Sequence, residues 1–207
     1  IAYILAVALG VVVGVVAAVN HGKWVDSVLM TISVFGISAP AFWIAIILQI
    51  VICLKFNLLP LSGIDSFKSF ILPGIALGTR YAASIARITR TSMLDVLSQD
   101  YIRTAEAKGL KGWVVTIKHA LRNALIPIIT IAGSDLGNIL TGSVLVESVF
   151  SIPGIGKMLV DSINTRDLPI VQGGVMYIAV ICVIMYLVVD LLYTVVDPRI
   201  RLGKESS

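Results

Sequence analysis

Two charged side chains, Arg80 and Asp135, stand inside long apolar runs, and a polar stretch at residues 100–127, DYIRTAEAKGLKGWVVTIKHALRNALIP, separates two such runs. A charge held in hydrocarbon costs about 3 kcal/mol or more unless it is paired or meets water. Arg80 and Asp135 are therefore expected to face the interior of a helical bundle, either as an ion pair or as contacts for a solute or ion. A buried pair without transport work and a snorkelling Arg80 are the plainer alternatives. Covalent chemistry finds no support, since no Ser/His or paired-Asp arrangement, no H-E-x-x-H and no phosphate-cradling G-x-x-x-x-G-K-[ST] occurs. His21 and His119 lack a Cys or second His at ligand spacing, so no metal site is expected. Cys53 and Cys182 fall in apolar runs, where thiols behave as small hydrophobes.

The chain that must position these groups has 207 residues, 57% hydrophobic and 14% charged, with a mean hydropathy of +0.98. A soluble domain carries roughly 25% charged residues, so the composition indicates an all-α polytopic membrane bundle whose surroundings are lipid. The net charge of +4 does not point to nucleic acid, because the bases flank apolar runs and serve as anchors there. Five runs are long enough to span about 30 Å of hydrocarbon: from Ile1 to about Val19, Val28 to Leu54, Phe70 to Met93, His119 to Val146, and Ile170 to Val196. No linker or repeat divides residues 1–207, which read as a single transmembrane domain.

Loop charges orient the bundle. Lys23, Arg87, Arg90, Arg103, Lys108, Lys111, Lys118, Arg122, Arg199, Arg201 and Lys204 fall on one side, and Lys55, Lys68, Lys157 and Arg166 on the other. The positive-inside rule makes the first side, with the 100–127 stretch and the C-terminus, cytoplasmic. Three G-x-x-x-G pairs, Gly10 with Gly14, Gly74 with Gly78 and Gly133 with Gly137, suit close helix packing within the bundle. Pro40 and Pro127 predict that the second and fourth spans kink or begin irregularly there. Asp190 and Asp197, seven apart, share a face of the last helix, which Asp197 and Pro198 are placed to end.

Within a cytoplasmic loop of about 95–118, Ser98 or Asp100 can cap a short helix that Gly109 ends at the C′ position. Two to three turns do not hold alone in water, so the helix must pack on something. Ala105, Ala107 and Gly109 keep it slim while Arg103, Glu106 and Lys108 project charge, which suits a groove on another protein. A solvated loop carrying only topogenic charge is the alternative.

The order of residues resembles the EAA loop of ABC-transporter permeases, in the form found in the dipeptide/oligopeptide/nickel branch. Aligned on Gly109, the Glu-Ala-Ala positions of the general pattern hold Arg103, Thr104 and Ala105, and its Ile-x-Leu-Pro positions hold His119, Ala120, Leu121 and Arg122. These departures match the peptide branch, which has R-T-A-x-A-K-G-L and H-A-L-R-N-A-L-I-P. The likeness continues through GISAPAFW (36–43), LLPLSG (58–63), ARITRTSML (86–94), VESVFSIPGIGK (146–157), RDLPIVQG (166–173) and DLLYTVVDPRIR (190–201). The last is similar to the ending of the B-type subunit.

What the resemblance implies is a six-helix type I importer permease, of which this chain holds about the last two thirds, the first helix and an external segment lying before Ile1. It implies a cell-membrane location and partnership with a C-type permease, two ATPase subunits and an extracytoplasmic binding protein. ATP and Mg would sit on the ATPase subunits and no cofactor on this chain. Tyr101, Arg103, Thr104, Ala105, Glu106, Ala107, Lys108, Gly109 and Leu110 would form the coupling helix that docks in an ATPase cleft. The family loosely expects a polar residue near Asp135 but none at Arg80. The amphipathic external stretch 147–169 would form a docking surface or outer gate, or simply a structured loop. The cargo, whether dipeptide, oligopeptide, nickel or glutathione, stays open. The alternative function is a secondary transporter or channel in which Arg80 and Asp135 carry ion coupling.

Overall fold

The structure, a computed structural model, describes residues 2–64, 66–141 and 144–196; side chains at 2, 136–138, 140, 141, 189, 190 and 192–196 lie outside the description. The expectations for Asp190, Asp197, the basic tail and Gly137 therefore fall outside it. Helix α1 spans Ala2–Val19, turns through Gly22 at φ 75°, and is followed by α2, Trp24–Ser38. Ala39 and Pro40 are extended, at ψ 126° and 136°, and α3 (Ala41–Leu48) then leaves with a bend of 101° between Trp24–Ser38 and Ala41–Lys55. Pro40 has no N–H to give, and its ring drives the preceding residue out of the helical region. The run expected as one kinked span is thus a broken pair.

After a π-helical stretch, Gln49–Lys55, and a loop, α4 runs Ile71–Leu97 for 27 residues, about 40 Å. It is the central strut, packing against α1, α2 and α3. Gly10 and Gly14 make the α1 contact close: a Cβ at Gly10 would lie 2.6 Å from the Ala82 carbonyl oxygen, and one at Gly14 2.5 Å from Thr89 Cβ. The first G-x-x-x-G pair therefore packs inside this chain.

Short α5 (Asp100–Ala107) follows, then α6 (Gly112–Val114), a π-helical stretch at Val115–Leu121, and α7 (Arg122–Thr141) with Pro127 inside. Helix α7 packs on α4. The fourth span thus starts earlier than His119, and its irregular turns precede Pro127. Helices α8 (Val144–Val149) and α9 (Ile155–Asn164) lead into α10 (Leu168–Val196), which packs on α7 and α9 and leaves most of its apolar surface open. By length and composition two described helical stretches can cross a membrane, Gly112–Asp135 and Leu168–Val188, and the bent pair makes a third; the apolar stretch within α1, Tyr3–Val19, is shorter. Helix α4 has the length, but Arg80, Arg87 and Arg90 lower its apolarity.

Two cores sit at opposite ends of α4. One gathers Ala18, Ile85, Met93, Ile102, Ala105, Val115, Ala120, Ala124 and Ile128; the other gathers Ala45, Cys53, Leu72, Ala76, Val146 and Phe150. The second end is tied by Gln49 Nε2, which donates to the carbonyls of Leu61 at 2.9 Å and Val149 at 3.0 Å.

Candidate functional site

Helix α5 ends as its sequence predicts. Gly109, at φ 76°, donates to the Glu106 carbonyl at 2.9 Å, and the Leu110 N–H reaches back to Ala105 at 3.4 Å. Those two bonds are the Schellman pattern, which needs a left-handed C′ residue. The start differs from expectation: the N-cap is Gln99, without a side-chain cap, and Asp100 is already helical. Ser98 Oγ instead donates to the Asp95 carbonyl at 2.8 Å, closing α4.

Burial divides α5 into two faces. Ile102 and Ala105 are buried in the core with Met93 and Val115, while Tyr101, Arg103, Thr104, Glu106, Ala107, Lys108, Gly109 and Leu110 are exposed. Ala105, expected among the docking contacts, therefore faces its own bundle, because the i, i+3 spacing from Ile102 places both on the inward stripe. Tyr101 Oη accepts from Asn123 Nδ2 at 2.8 Å, linking α5 to the first turn of α7. The Arg103–Asp100 ion pair, 3.9 Å and open to solvent, contributes little.

Arg80 and Asp135 are not brought together as a pair. Arg80 lies exposed on α4 and takes part in no ion pair among the described residues, whereas Asp135 is partly buried on α7. On α4 the ring of Tyr81, next to Arg80, meets Tyr3 edge-on at 5.5 Å between centroids, and Tyr3 Oη donates to the carbonyl of Ala132, one turn before Asp135. Tyr3 thus joins α1 to α4 through Tyr81 and to α7 through Ala132.

Sequence reasoning missed the strongest charged cluster. Asp26, 4% exposed at the start of α2, accepts from Arg90 of α4 in a two-pronged arrangement, Nε to Oδ1 at 2.6 Å and Nη2 to Oδ2 at 2.7 Å. The Gly22 N–H and His21 Nδ1 each lie 3.2 Å from Oδ2. Arg90 had counted only as a topogenic base; an acid just inside an apolar helix, facing a surplus of bases, was the available signal.

At the far end of the bundle the Glu147 carboxylate caps α9 from α8, accepting from the Gly156 and Lys157 N–H groups at 2.9 and 3.3 Å. Leu159 of α9 packs inward beside Gly174, while Met158 and Ile163 stay exposed, so a two-faced helix is present where the sequence pattern predicts one. A cleft of about 650 Å³ runs along it, lined by residues including Pro153, Lys157, Asp161 and Asp167.

Comparison with known proteins places these features. Residues 10–202 match the family described as "Binding-protein-dependent transport system inner membrane component". The chain is 45% identical over 196 residues to the "Glutathione transport system permease protein GsiC" of Escherichia coli (strain K12), covering 95% of this chain and 64% of that protein. The Salmonella typhi protein of the same name is 45% identical over 198 residues, 96% of this chain and 65% of its own length. The chain thus spans somewhat under two thirds of these curated relatives. A solved structure described as "Crystal structure of an amino acid ABC transporter with histidines" superposes with a TM-score of 0.64 at 19% identity, over 96% of this chain and 89% of that one, which is a likeness of fold.

Proposed function

The chain belongs to the family of inner-membrane components of binding-protein-dependent transport systems, in the peptide and nickel branch of ABC permeases, and from that membership we propose that it is a permease subunit of an ATP-driven importer for small peptides. The observation that carries the coupling role is the two-faced α5: Ile102 and Ala105 fasten it to the bundle core, and its charged outer face stands clear for a partner. A helix of two turns held by its own core can pass a push from a docked ATPase into α4 and α7. ATP and Mg belong to that ATPase, and this chain is the conduit rather than the catalyst. The C-type permease, a second ATPase and the extracytoplasmic binding protein complete the assembly. The relatives named for glutathione transport favour a short peptide with free carboxylates as cargo. Helix α5 is taken as cytoplasmic on its loop charges, and α8 and α9 as external. Asp135 remains the candidate for the translocation path. The secondary-transporter alternative, in which Arg80 and Asp135 carry ion coupling, is the second reading, and uptake without ATP is the result that favours it.

Affinity purification of the tagged protein with its ATPase tests the reading. Ala107→Arg alters only the exposed face of α5 and is expected to cut ATPase recovery and ATP-dependent uptake at least about tenfold, the loss of one well-packed contact region of about 1.4 kcal/mol or more. Full ATPase recovery with normal uptake would contradict it, as would uptake by the protein alone without ATP.

A further inference from the structure

Helix α2 is attached to the central strut at two places. Near its end the Gly36 backbone closes tightly on α4: a Cβ there would lie 3.1 Å from Ala83 Cβ, closer than ordinary van der Waals contact. At its start Asp26 is held by Arg90. Between them an apolar groove of about 980 Å³ opens, lined among others by Leu9, Val13, Leu29, Ile32 and Ala82, so side-chain packing joins α2 to α1 and α4 only loosely there. Arg90 lies seven residues before the end of α4, and α5 starts at Asp100 with only Ser98 and Gln99 between. The Met93 core that holds α5 also contains Ala18 of α1, four residues before the Gly22 that donates to Asp26. Downstream, α2 bends through Ala39 and Pro40 into α3, whose far end is fixed by Gln49 to Leu61 and Val149. The bent unit is therefore fastened at one end beside the coupling helix and at the other beside α8.

We propose that Asp26 and Arg90 are positioning residues for transport: their two-pronged ion pair makes α2 move with α4 and α5, so a displacement of α5 is carried through the bent α2–α3 unit to the Gln49 end of the bundle. The inference rests on the permease reading. Geometry supports it beyond simple stabilisation. A two-pronged guanidinium–carboxylate contact fixes direction as well as distance, which a single ammonium contact does not. The groove lining begins at Leu29, three residues beyond Asp26, and there packing holds α2 only loosely. His21 completes the cluster from the exposed side: Nδ1 lies 3.0 Å from Arg90 Nη2 and 3.2 Å from Asp26 Oδ2, so it serves either as acceptor or as donor.

The test uses the full transport assembly in nanodiscs, with spin-label pairs reporting distances with and without ATP. One pair joins position 99, the N-cap of α5, to position 183 on α10, and the other joins position 46 on α3 to position 183. In the wild type both distances are expected to shift with nucleotide. In Arg90→Gln the α5 distance still shifts while the α3 shift falls at least about threefold; Arg90→Lys, which keeps the charge and protects folding, gives an intermediate loss. Exchanging the partners, Asp26→Arg with Arg90→Asp, restores part of the α3 shift. An α3 shift of wild-type size in assembled Arg90→Gln or Arg90→Lys overturns the proposal and leaves the permease reading intact. A wild-type α5 that ignores nucleotide overturns the permease reading itself, and the proposal with it.

Discussion

A methyl group at Gly156 would lie 2.5 Å from the Cα of Val144, which is backbone and cannot step aside, and 2.8 Å from Glu147 Oε2. At Gly154 it would lie 2.3 Å from the same carboxylate oxygen. These glycines let Glu147 reach the first N–H groups of α9, where a capping carboxylate contributes about 0.5–2 kcal/mol. Gly156→Ala is therefore expected to destabilise the protein by about 1–3 kcal/mol, seen as a lower thermal midpoint in detergent; an unchanged midpoint would show that the α8–α9 joint is looser than described. On α5 the two alanines separate in the same way. Ala105→Arg pushes a guanidinium among Ile102, Met93 and Val115 and should lower the midpoint sharply, by about 2–4 kcal/mol of stability, whereas exposed Ala107→Arg should leave it within about 0.5 kcal/mol. Equal thermal effects from both would contradict the two-faced α5.

At the scale of the element, Gly109→Ala keeps every side-chain contact but places a Cβ at φ 76°, costing about 1–2 kcal/mol. Amide exchange at Leu110 and across the last turn of α5 should quicken by about tenfold, and no change would mean that the Schellman turn does not fix the helix end. That end was legible in the sequence, because a lone glycine after a short run of small residues has few other uses. Its start was not: Ser98 and Asp100 flank the true cap, Gln99, and the serine hydroxyl closes the preceding helix instead. The break at Pro40 followed from chemistry, but its angle of 101° did not, since it depends on α3 packing against α4 and α8. Arg80 and Asp135 shared a depth in the membrane, and depth along two helices says nothing of which way each side faces. The Asp26–Arg90 contact spans 64 residues of chain, a separation at which periodicity and spacing carry no signal.

The molecule as a whole presents an apolar exterior along α1, α2 and α10, with Ile4, Leu9, Phe35, Val183 and Leu187 all open, which suits lipid rather than water. Its two ends differ: the Met93 core carries α5, and the Phe150 core carries α8. Membrane-impermeant thiol labels should accordingly reach a cysteine placed at Lys108 only from the cytoplasmic side and one placed at Lys68 only from outside; labelling of both from one side would refute the topology. The central claim, that α5 is the surface on which a separate ATPase acts, is tested most directly by photo-crosslinkers placed one at a time along α5 in the intact assembly. Positions 103, 107 and 108 should crosslink to the ATPase while 102 and 105 crosslink only within the chain; crosslinks to lipid or solvent products alone from all five would contradict it.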